Sequence, residues 1–285
     1  LQPKMTVLRS LLELNAWRAQ IGEQTLGFVP TMGALHRGHI SLVEQSLSMA
    51  DHTLVSIYVN PTQFNNAEDL EKYPSTLEQD LTLLSATGEV IVYLPTQSDL
   101  YPNGLHSRNF DFGALGTFME GTGRPGHFEG MATVVTRFFE IIRPDRAFFG
   151  EKDYQQLAII KQVVADENWP VEIIPCATLR EHDGLAMSSR NLRLSAEQRG
   201  EAKEIYRILS QWIKGADFTS LEPQAVQKEL VQQINSIDHL EVEYLEFSAS
   251  NTLIPVERFD LNVPTRVFAA VLCGKVRLID NLPLF

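Results

Sequence analysis

Two histidines, His36 and His39, stand three residues apart shortly after an apolar run that predicts a strand, Thr25–Val29. Residues at this spacing lie on one side of a helical turn, so a helix beginning here would present both imidazole rings together. A helix N-terminus also offers unpaired N–H groups and partial positive charge to an anion. Gly33 and Gly38 would let the backbone approach a phosphate closely. The segment therefore predicts a nucleotide-phosphate site in which the histidines stabilise charge on the phosphorus under attack.

The histidine pair is also compatible with two simpler roles. The rings could cap a helix or fill a core without taking part in chemistry. They could also bind zinc, but the common helical zinc motif has histidines four residues apart with a glutamate beside the first. This pair is three apart, and Arg37 follows His36. The preceding strand and the glycines favour the phosphate interpretation.

A second strand–glycine–helix segment runs from Phe148 to Gln156. It should end at the same edge of a parallel sheet, where ligands bind. Lys152 can pair with a phosphate, and Asp153 can cap the helix, hold a ribose hydroxyl or bind Mg²⁺. Gln156 lies further along the helix and can hydrogen-bond to a hydroxyl or carboxylate. Taken alone, the segment could equally be a charged helix cap on the surface.

Polar loops supply the remaining candidates. Met187–Asn191 combines two hydroxyls with a guanidinium and suits a triphosphate, although a polar linker would have the same composition. Gln63 follows the second predicted strand and is placed to contact a polar substrate, unless Asn60-Pro61 only forms a turn. Residues 120–130 hold four glycines and one proline, so they require unusual backbone geometry, either for structure or for binding.

The elements that must position these residues alternate along the first 180 residues. Short β-branched runs alternate with amphipathic helical patterns, which predicts a parallel sheet covered by helices on both faces, the α/β class. The predicted strands are Thr25–Val29, Thr53–Val59, Val90–Leu94, Ala147–Phe149 and Val171–Cys176, and the predicted helices are His39–Ala50, Thr76–Thr87, Phe128–Ile142 and Tyr154–Asp166.

The pattern changes near Asp183-Gly184 and predicts a smaller α+β domain after a boundary within 183–194. Ser195 and Gln198 have the spacing of a capping box and open a helix to about Lys214. The other expected elements are the helix Glu222–Ile234 and the strands Val242–Phe247, Thr265–Leu272 and Lys275–Ile279, the last two joined by a tight Cys273-Gly274 turn.

Composition excludes several classes of function. The 285 residues include 24 Lys and Arg against 36 Asp and Glu, a net charge of −12, so no nucleic acid and no anionic membrane is expected as a partner. Cys176 and Cys273 lie in apolar runs and are expected to be buried free thiols. No apolar run reaches the length of a membrane span, and residues 1–4 lack the apolar core of a secretory signal. Together these features predict a cytoplasmic protein.

The motifs, in this order and spacing, resemble the pantoate–β-alanine ligase family, the bacterial pantothenate synthetases. His36-Arg37-Gly38-His39 is similar to the His-Ile-Gly-His signature of nucleotidylyltransferases and class I aminoacyl-tRNA synthetases. The loop around Arg190 stands where that superfamily carries Lys-Met-Ser-Lys-Ser; its lysines are absent, and Arg190 is expected to substitute. The resemblance covers nearly the whole chain, and the segments that carry it are Pro30–His39, Asn60–Phe64, Arg124–Gly130, Gly150–Gln156, Met187–Asn191 and the tail Leu278–Asn281.

The resemblance implies a Rossmann-like catalytic domain, residues 1–183, which binds ATP and pantoate, and a smaller C-terminal lid domain, residues 184–285. It also implies a homodimer that uses ATP with Mg²⁺ to join pantoate to β-alanine through a pantoyl-adenylate, releasing AMP and pyrophosphate. Because the attacking carboxylate is already ionised at neutral pH, the first step needs positioned positive charge rather than a general base.

Residue roles follow from the resemblance. His39 is implied as the catalytic residue of adenylylation, Gln63 as a contact of pantoate and β-alanine, and Gln156 as a contact of pantoate. Groups that suit the electrostatic demand of that step are His36, His39, Lys152, Ser188, Ser189 and Arg190. The implied ATP-binding residues are Met32, Gly33, Ala34, Leu35, His36, Arg37, Gly38, His39, Gly150, Glu151, Lys152, Asp153, Leu179, Met187, Ser188, Ser189 and Arg190. The Mg²⁺ ligands are undetermined, with Asp80 and Asp153 as candidates.

Two functions of other kinds share some of these features. A different adenylyltransferase would transfer the nucleotidyl group to a phosphate acceptor, such as a nucleotide or phosphopantetheine, and would need no amine. A non-catalytic nucleotide-binding protein would bind ATP and consume none. Product analysis separates both from an acyl-adenylate ligase.

Overall fold

The computed structural model describes residues 5–285, and contacts within the chain divide it into two compact units. The first unit contains the chain up to Phe112 together with Gly121–Glu151 and Gln156–Ala177. The second unit contains Gly113–Glu120, Lys152–Gln155 and Thr178–Phe285. The prediction about a secretory signal concerns residues 1–4, which lie outside the described range.

The sequence predicts a single domain boundary within residues 183–194, and the division in the structure differs from it. The last crossing falls between Ala177 and Thr178, and two short segments of the N-terminal half group with the second unit. The physical reason is long-range hydrogen bonding. The Asn281 side chain donates to the Lys152 carbonyl at 3.0 Å, and the Tyr244 hydroxyl donates to Glu120 Oε1 at 2.8 Å.

The first unit is built on a six-stranded sheet in which every strand pair is parallel. Its strands are β1 (Thr6–Leu8), β2 (Leu26–Thr31), β3 (His52–Ile57), β4 (Ile91–Tyr93), β5 (Arg146–Gly150) and β6 (Glu172–Cys176). The order β1-β4-β3-β2-β5-β6 puts a topological switch point between β2 and β5, where open α/β sheets bind ligands beyond the strand carboxyl ends. The predicted Rossmann-like class is confirmed.

Helices cover both faces of this sheet, as the strand–helix alternation predicts. Val29 of β2 packs in a core with Val43 and Leu84, whereas the adjacent Phe28 contacts Phe138 on the opposite face, with ring centroids 5.3 Å apart. The helices up to residue 166 are α1 (Leu11–Ile21), α2 (Arg37–Met49), α3 (Ala67–Glu71), α4 (Leu77–Thr87), α5 (Gln97–Leu100), α6 (Glu120–Gly123), α7 (His127–Ile142) and α8 (Tyr154–Asp166).

The first strand and the first helix are absent from the sequence prediction. β1 is three residues long, too short to show a periodic pattern, and pairs at the sheet edge with β4. A signal for α1 exists, because Ser10 and Glu13 have capping-box spacing and the Ser10 hydroxyl accepts the Glu13 N–H at 3.2 Å.

The second unit carries α9 (Ala196–Gly215) and α10 (Pro223–Asn235), whose apolar faces share one core with an antiparallel sheet of β7 (Leu240–Ala249), β8 (Thr265–Cys273) and β9 (Val276–Pro283). The Ser195–Gln198 capping box is confirmed by both of its hydrogen bonds. The predicted Cys273-Gly274 turn is wrong by one residue. Cys273 pairs with Val276, so Gly274, at φ +60°, and Lys275 form the turn.

Both cysteines are buried and free, as predicted. Burial raises the pKa of the Cys176 thiol to about 12 and that of Cys273 to about 11, so neither thiol is a reactive nucleophile near neutral pH. Over residues 5–285, no helix combines the length and the apolar character that crossing a membrane would require.

Candidate active site

The loop after β2 is held in shape before α2 begins. Gly33 has φ +68°, and its carbonyl accepts the Tyr73 hydroxyl at 2.9 Å. The buried Asp80 carboxylate accepts the Leu35 N–H at 2.8 Å and the Thr76 hydroxyl at 3.0 Å. Asp80 therefore supports the loop, a role that sequence reasoning did not assign to it. No local pattern links Asp80 to a loop 45 residues earlier.

The two histidines lie together at the N-terminus of α2, as their spacing predicts. The helix begins at Arg37, earlier than expected, because His36 is its N-cap. His36 Nδ1 accepts the Gly38 N–H at 3.1 Å, His39 Nδ1 accepts the His36 N–H at 3.2 Å, and the ring centroids are 4.1 Å apart. Each neutral ring then carries its hydrogen on Nε2. The capping interpretation is thus correct for the Nδ1 atoms, and the Nε2–H groups are donors of the kind that a phosphate requires.

The rest of this motif can contact a nucleotide mainly through its backbone. Ala34 and Leu35 are buried, and Met32 is half-buried. The exposed Arg37 guanidinium lies 3.3 Å from Glu44 on the next turns of α2. Within residues 5–285, no third histidine, cysteine or carboxylate joins the histidine pair in a potential metal-binding group.

Gln63 is held by its own loop and by α7, both in the first unit. Its side-chain oxygen accepts the Asn60 amide at 3.0 Å, and its carbonyl accepts the His127 Nδ1–H at 2.8 Å. Gly130 approaches so closely that a Cβ there would lie 2.3 Å from the Thr62 carbonyl oxygen. This contact explains one of the four glycines in 120–130. With its oxygen engaged, the Gln63 amide is oriented to donate N–H groups to a polar ligand.

The start of α8 separates two adjacent glutamines. Gln155 is buried in the second unit, where it donates to the carbonyls of Leu115 and Phe118 at 2.7 and 2.9 Å and accepts the Glu120 N–H at 3.1 Å. Gln156 is half-buried and belongs to the first unit. Gln155 is therefore a structural residue, and Gln156 keeps its place as the substrate-binding candidate.

Within the second unit, Lys152, Ser188 and Arg190 line one concavity. The Lys152 side chain is 19% exposed, and its Nζ lies 3.9 Å from the half-exposed carboxylate of Asp153. Ser188 Oγ accepts the Arg190 N–H at 3.2 Å and caps a short 3₁₀ turn that begins at the buried Ser189. The fold thus brings together two predicted phosphate-binding segments that are distant in sequence.

The loop that carries Ser188 is a small hairpin fixed to α9. The Leu179 carbonyl accepts the Met187 N–H at 3.0 Å, and Gly184 turns the chain at φ +95°. Asp183 accepts two hydrogen bonds from Arg199, at 2.7 and 3.1 Å. The Arg199 guanidinium lowers the pKa of the Asp183 carboxyl, so the anchor is an ion pair at neutral pH.

Each unit thus carries a group of residues suited to an anionic ligand. The first has two imidazoles at a helix N-terminus next to the switch point of its sheet, and the second has an ammonium and a guanidinium in one concavity. Donors of this kind stabilise charge that develops on phosphate oxygens. Each group by itself is suited to bind phosphate oxygens of a nucleotide.

The chain is similar in sequence to known proteins over nearly its whole length. The family model of pantoate-beta-alanine ligases matches residues 5–283. The pantothenate synthetase of Flavobacterium psychrophilum is 45% identical over 263 residues, which cover 92% of this chain and 93% of that protein. The pantothenate synthetase of Cereibacter sphaeroides is 45% identical over 282 residues, covering 98% of this chain and 99% of that protein.

Two solved structures extend the comparison to three dimensions. The pantothenate synthetase of Thermus thermophilus aligns with a TM-score of 0.90 at 38% identity, over 99% of this chain and 100% of that one. The pantoate-beta-alanine ligase of Francisella tularensis, complexed with beta-gamma ATP and beta-alanine, aligns with a TM-score of 0.84 at 38% identity, over 99% and 98%. With a family model matching nearly its whole length and relatives this similar, the chain belongs to the pantoate–β-alanine ligase family.

Proposed function

We propose that this chain makes pantothenate from pantoate and β-alanine in two steps at one site, with pantoyl-adenylate as the intermediate and AMP and pyrophosphate as products. The observation that carries the proposal is the pair His36 and His39, whose rings lie in contact at the N-terminus of α2 next to the switch point of the parallel sheet. The Francisella tularensis relative is complexed with beta-gamma ATP and beta-alanine, which supports ATP and β-alanine as substrates of this chain.

In the first step, the pantoate carboxylate attacks the α-phosphorus of ATP, forming a carboxyl–phosphate bond while the bond to pyrophosphate breaks. No proton has to be removed, so the residues act by position and charge. We assign the imidazoles of His36 and His39 to the phosphates, together with the backbone of the loop that begins at Met32. From the second unit we assign Lys152 and the Ser188–Arg190 turn. Ser189 is buried, which favours a backbone or supporting contribution from it.

In the second step, the neutral amine of β-alanine attacks the acyl carbon; the amide bond forms while the acyl carbon–oxygen bond to AMP breaks, and the nitrogen loses one proton to solvent. The rate of this step is expected to rise with pH through mildly alkaline values, since the attacking nitrogen must be unprotonated. Gln63 and Gln156 are proposed to bind pantoate through hydrogen bonds, with Gln63 also contacting β-alanine. Neutral amides suit this task, because a site built to hydrogen-bond a hydroxyl strongly rejects an analogue that lacks it.

Mg²⁺ is proposed to arrive with ATP, because this ion takes most of its ligands from phosphates and water. Asp80 is a poor candidate ligand, since its carboxylate is buried and already accepts the Leu35 N–H. Asp153 is the better candidate, with a half-exposed carboxylate next to Lys152. When bound, the ion would neutralise negative charge on the phosphates.

The finer predictions from the sequence belong to the same proposal. A homodimer, a lid role for the C-terminal domain and a cytoplasmic location stay predictions. Size-exclusion chromatography with light scattering tests the dimer, for which twice the mass of the chain is expected.

Product analysis tests the proposed reaction. The enzyme is incubated with ATP, Mg²⁺ and pantoate, with and without β-alanine. We expect AMP and pyrophosphate in turnover only with both substrates, and about one equivalent of pyrophosphate per enzyme from pantoate alone. ADP and phosphate would indicate an acyl-phosphate route instead. Absence of ATP consumption would favour a different acceptor or a non-catalytic nucleotide-binding protein.

A further inference from the structure

Two consecutive residues of β9, Asp280 and Asn281, have no part in the proposed chemistry, yet both are buried and engaged in several polar contacts. The Asn281 side chain donates from Nδ2 to the Lys152 carbonyl at 3.0 Å and accepts at Oδ1 from Arg266 at 2.7 Å. Arg266 also lies over the ring of Tyr154, with its guanidinium carbon 4.2 Å from the centroid. Asn281 therefore holds the turn that carries Lys152.

Asp280, the residue before Asn281 in β9, makes a corresponding set of contacts. Its carboxylate accepts two hydrogen bonds from Arg180, at 2.7 and 2.9 Å, and a third from the backbone N–H of Asn281 at 2.8 Å. Arg180 lies at the base of the hairpin that leads to Ser188, and it also donates to the Gly184 carbonyl at 3.1 Å. Asp280 therefore holds the hairpin.

The two contacts meet at adjacent backbone positions. One hydrogen-bonded chain runs from the Lys152 carbonyl through Asn281 and Asp280 to Arg180, all within the second unit. Asp280 also lines the concavity that holds Lys152 and Ser188. Two residues of β9 thus fix the Lys152 backbone relative to the hairpin that carries Ser188, although Asn281 is 129 residues from Lys152 along the chain.

We infer that Asp280 and Asn281 are positioning residues that hold the two phosphate-binding segments of the second unit, the Lys152 turn and the 187–190 loop, in fixed register for ATP. The inference rests on the proposed assignment of Lys152, Ser188 and Arg190 to ATP. Misplacement of a binding group by about 1 Å lowers turnover by about 10²-fold, so the expected loss on breaking the chain is about 10- to 10²-fold.

The test is a double-mutant cycle on the full-length enzyme, with Asn281→Ala, Lys152→Ala and their combination. Pyrophosphate release is measured while ATP and pantoate are titrated separately, and thermal unfolding is followed in parallel. We expect Asn281→Ala to lower kcat/KM for ATP by about 10- to 10²-fold with little change in KM for pantoate. In the Lys152→Ala background, Asn281→Ala should lower kcat/KM for ATP by less than about 3-fold, because the side chain that Asn281 positions has already been removed.

Gln227→Ala is the matched control. Gln227 also donates from a side-chain amide to a backbone carbonyl of the second unit, that of Leu245, but lies outside the chain of contacts around β9. It should lower the melting temperature without a selective loss in kcat/KM for ATP. If Asn281→Ala does not fold, Asn281→Asp replaces it, since the aspartate keeps the size and the acceptor for Arg266 while removing the donor to Lys152.

Several results would overturn the inference. One is unchanged kinetics in Asn281→Ala, and another is an equal loss of kcat/KM for ATP and for pantoate. A third is the same loss from Asn281→Ala with Lys152 and with Ala at position 152. Each counts when the wild type is active and Lys152→Ala is impaired. Failure of the proposed function is recognised separately, by a wild type that releases no pyrophosphate. An unimpaired Lys152→Ala would remove Lys152 from ATP binding and the positioning role with it.

Discussion

At the scale of single residues, the histidine pair combines an observed structural role with the chemical role proposed for it. His36 and His39 each use Nδ1 to accept a backbone N–H at the start of α2. This use selects the tautomer, so the hydrogen of each neutral ring is on Nε2, opposite the capping contact. Capping and phosphate binding are alternatives from sequence, but they use different atoms of the same rings and are compatible.

His39→Ala is expected to lower the adenylylation rate by about 10²–10³-fold, the loss found when one preorganised donor is removed. Pyrophosphate release in a single turnover with ATP and pantoate measures this step. Glu44→Ala, on an exposed part of the same helix, is the control and should stay within about 2-fold of wild type. A His39→Ala rate within a few-fold of wild type would exclude His39 from the chemistry.

The adjacent glutamines of α8 should respond in opposite ways. Gln156→Ala should raise KM for pantoate much more than KM for ATP and leave the melting temperature nearly unchanged. Gln155→Ala removes three hydrogen bonds of a buried amide and should lower the free energy of unfolding by about 1–3 kcal/mol. Steady-state kinetics and denaturant titration distinguish them; equal effects of Gln156→Ala on both KM values would contradict its role with pantoate.

At the scale of elements, the strand–loop–helix unit from β2 to α2 needs support from outside itself. The loop turns at Gly33, and its shape depends on Asp80 from α4 and on Tyr73, which precedes that helix. A parallel strand brings the chain to the sheet edge, but it does not determine where the following N–H groups point. Contacts from later elements do that by fixing the shape of the loop.

Gly33→Ala should therefore impair both stability and ATP binding. A Cβ at Gly33 would lie 2.7 Å from Asp80 Oδ2, and the residue has φ +68°. We expect a loss of about 1–3 kcal/mol in the free energy of unfolding and a higher KM for ATP. Gly22→Ala is the matched control, with φ +57° and open space around it, so it should show the backbone strain without the change in KM. A normal KM in Gly33→Ala would contradict the role of this loop.

At the scale of the whole molecule, pH should act on the stability of the second unit through an ion pair. His239, just before β7, approaches Glu201 of α9 with Nδ1 2.9 Å from Oε2, and its backbone N–H donates to the same oxygen. The hydrogen bond to Glu201 raises the pKa of His239 above its ordinary value of 6.5. Protonation of His239 is thus favoured in the folded state. The stabilisation of the fold by the His239–Glu201 pair is therefore complete below about pH 6.5 and is lost as pH rises through the raised pKa.

His239→Gln should consequently lower the melting temperature more at pH 6 than at pH 9. Thermal unfolding of wild type and variant across this range measures the difference, and Glu201→Gln should remove the same pH dependence. If the difference in melting temperature between wild type and variant is constant with pH, the His239–Glu201 pair contributes no pH-dependent stability.

The sequence by itself determined the local features of this protein. The spacing of apolar residues predicts five of the six parallel strands and the four long helices between them, because this spacing depends only on residues close together in sequence. The histidine spacing predicts a pair on one helical turn, and the ring distance of 4.1 Å agrees. The Ser195–Gln198 cap follows from spacing in the same way.

Tertiary structure alone decided how separated groups support one another. It placed Lys152 with the C-terminal sheet rather than with the strand that precedes it, and it engaged Asp80 in a hydrogen bond to a loop 45 residues earlier. It also revealed Asp280 and Asn281, whose partners Arg180 and Lys152 are 100 and 129 residues away. Periodicity and capping motifs report only on residues within a few turns. Hydrogen bonds that close loops of this length depend on the packing of whole elements, which no short segment encodes.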